Sequence, residues 1–91
     1  MSPIPETLAQ SEYSAADHFI GQLTARLTDK VLIAYNLDDE RFYRVHGVRS
    51  TDWELGAIVV CYWSRDRRYV DNISPADQAT EELYKRKKLP I

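Results

Sequence analysis

The sequence contains a single cysteine and only three glycines, and it has no long apolar run. With Cys61 alone, no disulfide can form within the chain, which is typical of proteins in a reducing compartment. The longest apolar stretch, residues 57–63, is far shorter than the ~20 residues that cross a bilayer. No charged-then-apolar leader opens the sequence. These absences predict a cytoplasmic protein that does not bind membranes.

Neither sign of charge predominates, since 12 basic and 14 acidic residues give a formal charge of −2. A general nucleic-acid-binding protein is usually strongly basic, although a local basic cluster remains open. The three glycines are isolated, so no phosphate-binding loop is predicted. The two histidines, His18 and His46, are too few for a zinc site. The sequence therefore predicts neither a metal nor a cofactor.

The remaining composition is that of one folded domain. Ninety-one residues, 44% of them hydrophobic, are enough for a single core but not for two. Residues 1–13 contain Pro3 and Pro5 and show little periodicity, so they are predicted to form a flexible arm. Residues 14–91 are predicted to form one α+β domain.

Two stretches carry helix patterns. Residues 14–17 resemble a capping box, and the apolar residues that follow have helical spacing: Ala16, Phe19, Ile20, Leu23 and Leu27. Near the other end, Ser74 and Pro75 resemble a serine cap and a first-turn proline. The helix that follows would bury Ala76, Ala79 and Leu83. The sequence thus predicts an N-terminal and a C-terminal helix.

The middle of the sequence alternates as strands do. Apolar, β-branched or alternating stretches lie at residues 30–37, 41–49, 57–63 and 68–73. In the second stretch, Tyr43 and Val45 share one face, while Phe42, Arg44 and His46 share the other. The predicted fold is an α+β domain with an N-terminal helix, a three- to four-stranded antiparallel sheet and a C-terminal helix packed on one face.

The best catalytic candidate is His46, which shares a strand face with Arg44 and is followed by Arg49. A histidine beside arginines can take a proton from a ribose hydroxyl while the arginines hold phosphate. The simpler interpretation is the solvent-facing side of a surface strand, and it is the one we favour. No catalytic residue is therefore assigned.

Candidate binding residues lie in two loops. Arg65, Arg67, Arg68 and Tyr69 occupy a predicted hairpin tip, where guanidinium groups beside an aromatic ring can bind phosphate or stack on a base. Trp53 lies in a polar loop and, if exposed, would anchor an interface with a protein.

Part of the chain resembles the BrnT-type branch of the RelE/ParE toxin superfamily. The matching stretches are residues 40–43, residues 56–63, residues 65–67 and residues 72–84, which read ERFY, GAIVVCYW, RDR and NISPADQATEELY. The basic residue that such toxins carry after the Ile-Ser is replaced here by Pro75 and Ala76. The resemblance implies a sheet-and-helix shape and a protein partner, because such toxins work in pairs with antitoxins.

These observations favour a small regulatory or inhibitory protein that binds another protein and can form a homodimer. An exposed sheet edge, the arm, Trp53 and Tyr69 would make the contact. Two alternatives stay open: a ribonuclease toxin of the RelE/BrnT kind that uses His46, and a small protein that binds nucleic acid through the hairpin arginines.

Overall fold

Five strands and one short helix make up residues 17–91, the part of the chain that this computed structural model describes. The strands are β1 (His18–Thr28), β2 (Val31–Asn36), β3 (Phe42–His46), β4 (Ile58–Trp63) and β5 (Val70–Pro75), and the helix is α1 (Gln78–Tyr84). Turns of 3-10 helix occur at Ser50–Asp52 and Lys85–Lys87. The predicted arm and the predicted capping serine, Ser14, lie outside the described residues.

The strands close into a barrel in the order β1-β2-β3-β5-β4. β1 pairs with β2 along one side and with β4 along the other, and both pairings are antiparallel. β3 and β5 meet in parallel through Val45 and Val70. Five strands in this order, closed by a parallel β3–β5 contact, resemble the five-stranded Greek-key barrels called OB-folds. The predicted α+β arrangement is therefore wrong.

The barrel interior is filled by inward-pointing residues from all five strands. The buried set consists of Phe19, Leu23, Leu32, Ala34, Val45, Val59, Cys61, Val70 and Ile73. At one end, the rings of Phe19, Tyr43 and Trp63 contact one another with centroids 4.9, 5.2 and 5.4 Å apart. Burial raises the pKa of the Cys61 thiol to about 12, so this thiol is protonated at neutral pH.

The predicted N-terminal helix is wrong, because Phe19, Ile20, Leu23 and Leu27, which suggested it, lie in β1, while Ala16 lies outside the described residues. Phe19, Leu23 and Leu27 are spaced four apart, which fits both the 3.6-residue period of a helix and the two-residue period of a strand. Ile20 favoured a helix, but it lies half-buried on the opposite side of the strand from Phe19. Pairing with β2 and β4 decides the conformation, and such non-local pairing leaves no local pattern.

The C-terminal helix is present, but it begins later than predicted and does not bury the predicted face. Ser74 pairs with Val60 of β4, so the serine–proline pair belongs to β5. The N-cap is Asp77, whose carboxylate accepts a hydrogen bond from the Thr80 N–H at 2.7 Å. No residue of α1 is buried, and Leu83 is 77% exposed. Within residues 17–91, no helix has the length and apolar character needed to cross a membrane.

The segment after α1, residues 85–91, returns over the outside of β1, and we call it the C-terminal strap. Gln22 is fully buried beneath it. Its side-chain amide pairs with the backbone of Leu89 as a peptide group of a neighbouring strand would. Its Oε1 accepts from the Leu89 N–H at 2.7 Å, and its Nε2 donates to the Leu89 carbonyl at 3.0 Å. Just before the strap, the Tyr84 hydroxyl donates to Asp38 at 3.2 Å, and within the strap Lys87 pairs with the same carboxylate.

Candidate nucleic-acid interface

The outer surface of strands β2 and β3 carries the most distinctive set of side chains in the described part of the chain. Directly paired residues of antiparallel strands lie on the same side of a sheet. The pairs that point outward are Tyr35 with Phe42, Ile33 with Arg44, and Val31 with His46. The prediction that Phe42, Arg44 and His46 share a face is confirmed, since Val45 between them is buried. We call these six residues the β2–β3 face.

An aromatic pair lies at one end of the β2–β3 face. The rings of Tyr35 and Phe42 are 5.0 Å apart between centroids and tilted by 49°. Phe42 is 59% exposed, which is high for a phenylalanine on a barrel of this size. A flat ring open to solvent on one side offers a surface on which a nucleobase can stack.

A second ring pair lies at the other end of the face. Tyr69 comes from the loop between β4 and β5, and its ring meets that of His46 edge-on, with centroids 4.8 Å apart. The two residues are distant in sequence, but Val70 pairs with Val45 where β5 joins β3. The barrel closure therefore brings the predicted binding residue Tyr69 against the predicted catalytic candidate His46.

Arginines lie between and beside the two ring pairs. Arg44 is exposed in the middle of the β2–β3 face, and Arg65 and Arg68 are exposed in the β4–β5 loop. Among residues 17–91, neither Arg44 nor Arg65 has an ion-pair partner. Arg68 is 3.8 Å from Asp66, and both groups are well exposed, so this contact is weak. These guanidinium groups are available to a phosphate.

Arg67 behaves differently from its neighbours. Its guanidinium donates to Asp17 at 2.9 Å, which ties the β4–β5 loop to the start of β1. Its backbone has a positive φ of 60°. Of the predicted hairpin arginines, Arg67 is thus the one whose guanidinium makes a close ion pair within residues 17–91.

Asp66 fixes the shape of the β4–β5 loop. Its carboxylate accepts hydrogen bonds from the Ser64 hydroxyl at 2.7 Å and from the Arg68 N–H at 3.1 Å. These two bonds, the hydroxyl first, hold the pKa of Asp66 below its usual range. Asp66 therefore has a structural role in the loop, and its carboxylate keeps its negative charge there.

The acidic turn between β2 and β3 is likewise occupied by internal contacts. Asp38 binds Tyr84 and Lys87, as described above, and Asp39 accepts from the Arg41 N–H at 2.9 Å and from the Tyr43 hydroxyl. Burial, followed by the bond to Asp39, raises the pKa of Tyr43 to about 12. The turn thus has a structural role, because its carboxylates bind groups of the same chain.

The predicted interface residue Trp53 is not fully exposed on the surface. It is partly buried and packs against the core, and its carbonyl accepts a hydrogen bond from Arg26 at 2.6 Å. The sheet edge that a protein partner was expected to use takes part in barrel closure. Two of the features that predicted a protein partner are therefore weaker than expected.

Arg49, the third of the catalytic candidates, lies beyond the end of β3 and not on the β2–β3 face. His46 and Arg44 share that face, but they are separated by one residue along the strand. Within the described residues there is no cluster of three or more His, Cys, Asp or Glu side chains that could hold a metal ion.

Sequence reasoning missed the pair of Tyr35 and Phe42. The alternation in β3 had already placed Phe42 on the solvent side with Arg44, so an aromatic residue among polar neighbours was the available signal. The role of Tyr35 could be seen only once β2 and β3 were paired in register.

Comparison with known proteins provides no match to guide the assignment. No family model, no curated protein and no solved structure matches the chain. The strand order gives the barrel type, and a barrel type by itself does not determine function. The proposal below therefore depends on the geometry of the β2–β3 face and its loop.

Proposed function

We propose that the protein binds single-stranded nucleic acid without cleaving it, using the β2–β3 face and the β4–β5 loop. The observation that carries the proposal is the presence of two ring pairs at the ends of one barrel face, with exposed arginines between and beside them. Bases stack on aromatic rings and arginines bind phosphate. In OB-fold barrels, this face and its flanking loops commonly receive oligonucleotides.

The charge balance limits how strong this binding can be. Of the 14 acidic residues, Glu6 and Glu12 precede Asp17, so residues 17–91 contain 12 acidic and 12 basic side chains and have no formal net charge. Long-range attraction of a polyanion is therefore weak, and affinity has to come from contacts at the face. We expect modest affinity that falls with salt, with a slope of about −0.7 per phosphate contacted.

A regulatory or inhibitory protein that binds a protein partner, or a second copy of itself, is the second candidate. The exposed side chains of Phe42 and Leu83 favour it. The partly buried Trp53 and the closed barrel support it less than the sequence suggested. Both candidates fit the cytoplasmic location predicted from the lone Cys61.

The proposal can be tested with a fluorescent oligothymidylate of about eight nucleotides, a length within the site sizes of OB-fold barrels. Anisotropy at about 50 mM salt, where phosphate contacts are strong, would be measured for the natural chain, for Phe42→Ala and for Leu83→Ala. Leu83 is a matched control, because it is an exposed apolar residue of α1 and does not belong to the face. We expect Phe42→Ala to weaken binding roughly 5- to 150-fold, which corresponds to the loss of one stacked base.

Two results would overturn the proposal: no binding by the natural chain, or the same loss for Phe42→Ala and Leu83→Ala. An oligoribonucleotide incubated with the protein adds a further control. If it is recovered intact, the non-catalytic assignment stands. If it is cut, and His46→Ala abolishes the cutting, the ribonuclease alternative replaces it.

A further inference from the structure

A cleft continues the β2–β3 face beyond the second ring pair. Its volume is about 580 Å³, and it is lined by Asp29, Lys30, Gly47, Val48, Arg49 and Thr51. Lys30 directly precedes Val31, which pairs with His46. A strand of nucleic acid that leaves the His46–Tyr69 pair in this direction therefore enters the cleft. The volume falls within the range of sites that hold small ligands.

The walls of the cleft are fixed by hydrogen bonds to a buried serine. Ser50 is 1% exposed, its hydroxyl donates to the Thr28 carbonyl at 2.7 Å, and its N–H donates to the Asp29 carbonyl at 2.9 Å. Arg26 donates to the Ser50 carbonyl at 3.1 Å. These bonds hold the loop after β3 against the β1–β2 turn, so the cleft is formed before any ligand arrives.

The charges on the walls suit a phosphate. Lys30 and Arg49 are exposed, and neither has an ion-pair partner within residues 17–91. Gly47 has a positive φ of 80°, and a Cβ there would meet no heavy atom nearer than the Asp71 carbonyl at 3.8 Å. The wall therefore stays open at this position. Asp29 is the one acidic residue of the lining.

We infer that this cleft holds one nucleotide of a strand that extends past the His46–Tyr69 pair, with its phosphate on Lys30 and Arg49. The inference rests on the proposed function and adds a length requirement to it. Phe42 and His46 are four positions apart along β3, or roughly 13 Å. A ligand that covers both ring pairs and enters the cleft is expected to need about four nucleotides or more, the lower end of OB-fold site sizes.

The experiment is a length series of oligothymidylates from about two to about eight nucleotides, spanning that lower limit. Binding would be measured for the natural chain, for Lys30→Ala/Arg49→Ala and for Lys85→Ala/Arg86→Ala. The last variant removes the same charge from exposed residues after α1. We expect the cleft variant to bind the shortest oligomer as the natural chain does and to lose the gain in affinity for longer ones. Its salt slope with the longest oligomer should fall by about 0.7 for each lost phosphate contact.

A third variant, Asp29→Asn, changes the cleft in the opposite direction. Removal of the acidic group should tighten binding of the longer oligomers and leave the shortest unchanged. Two results would overturn the cleft as a nucleotide site while leaving the β2–β3 face as one. The first is an equal loss of affinity at every length for the Lys30→Ala/Arg49→Ala variant, and the second is an equal loss of affinity for the Lys85→Ala/Arg86→Ala control. No binding by the natural chain at any length would overturn the proposed function and the cleft together.

Discussion

Two parts of the barrel's outer surface differ in solvent exposure, one on β1 and the other on β3. On β1, the outward-pointing Gln22 is 0% exposed, because the C-terminal strap covers it and satisfies its amide. On β3, the outward-pointing Phe42 is 59% exposed, and no segment of residues 17–91 covers it. A polar side chain is thus buried on one side, while an aromatic ring is left in water on the other.

The difference separates residues that serve folding from residues available for binding. Burial of an amide costs free energy unless its donors and acceptors are paired, and the strap supplies the partners. Exposure of a phenylalanine forgoes about 1.5–3 kcal/mol of burial, and nothing in the barrel requires that loss. Mutations under the strap are therefore expected to lower the free energy of unfolding. Mutations on the exposed β2–β3 face are expected to weaken ligand binding.

The largest expected effect comes from opening the covered side. Gln22→Leu keeps the size of the side chain but leaves the N–H and carbonyl of Leu89 without their partners. We expect the free energy of unfolding to fall by about 2–3 kcal/mol, near the upper end for loss of a buried polar partner. Urea unfolding would measure the change.

The control for this prediction is Gln78→Leu, since Gln78 is an exposed glutamine of α1. Its effect should stay within about 0.5 kcal/mol, as for most surface substitutions. If the two variants lose the same stability, the strap does not hold the barrel.

A smaller effect is expected from a matched pair of tyrosines. Tyr69 and Tyr62 are 37% and 38% exposed, but only Tyr69 belongs to a ring pair beside the β2–β3 face. Tyr69→Ala should weaken oligonucleotide binding by about 1 kcal/mol or more, roughly fivefold, through lost stacking. Tyr62 contacts His18 and Ser74 instead. Tyr62→Ala should therefore leave oligonucleotide binding unchanged. If anisotropy titrations show the same loss of affinity for both variants, Tyr69 does not take part in binding through the β2–β3 face.

The smallest effect concerns pH and the start of α1, which leads into the strap. The hydrogen bond from the Thr80 N–H lowers the pKa of the Asp77 carboxyl. The folded state thus favours the ionised form, so this stabilisation is fully present above the ordinary aspartate pKa of about 3.9. It is lost as the pH falls through the lowered value.

The chemical shift of the Thr80 amide proton would report this transition in the natural chain. Asp77→Asn keeps an oxygen that can accept the bond but cannot titrate, so its Thr80 shift should stay constant over the same range. A transition of equal size in the variant would show that another group is responsible.

The strands after β1 could be predicted from the sequence because their patterns are local. β2 alternates in burial along its length, and β3 was assigned to the correct faces. β1 could not be predicted, because Phe19 and Leu23 fit both periods. Gly21 offered a hint, since a glycine inside a strand marks close approach. A Cβ there would lie 3.1 Å from the Cys61 Sγ.

The candidate site was partly predictable for the same reason. Arg44 and His46 follow from alternation along one strand, and Arg65 and Arg68 follow from a loop rich in charge. Their meeting with Tyr35 and Tyr69 depends on register between strands and on barrel closure, and no local pattern encodes either of these. The polar neighbours of Trp53 indicate solvent exposure, whereas its side chain is partly buried against the core, and no local pattern shows this.

The bond between Gln22 and Leu89 has a consequence for synthesis of the chain. Its two residues are 67 positions apart, so β1 emerges from the ribosome long before its cover exists. Chains are made at roughly 5–20 residues per second, which leaves the outer side of β1 uncovered for several seconds. During that interval, water or a chaperone has to satisfy the amide that Leu89 later occupies. A chain truncated before Leu89 would therefore keep all five strands but leave the outer side of β1 open to other chains.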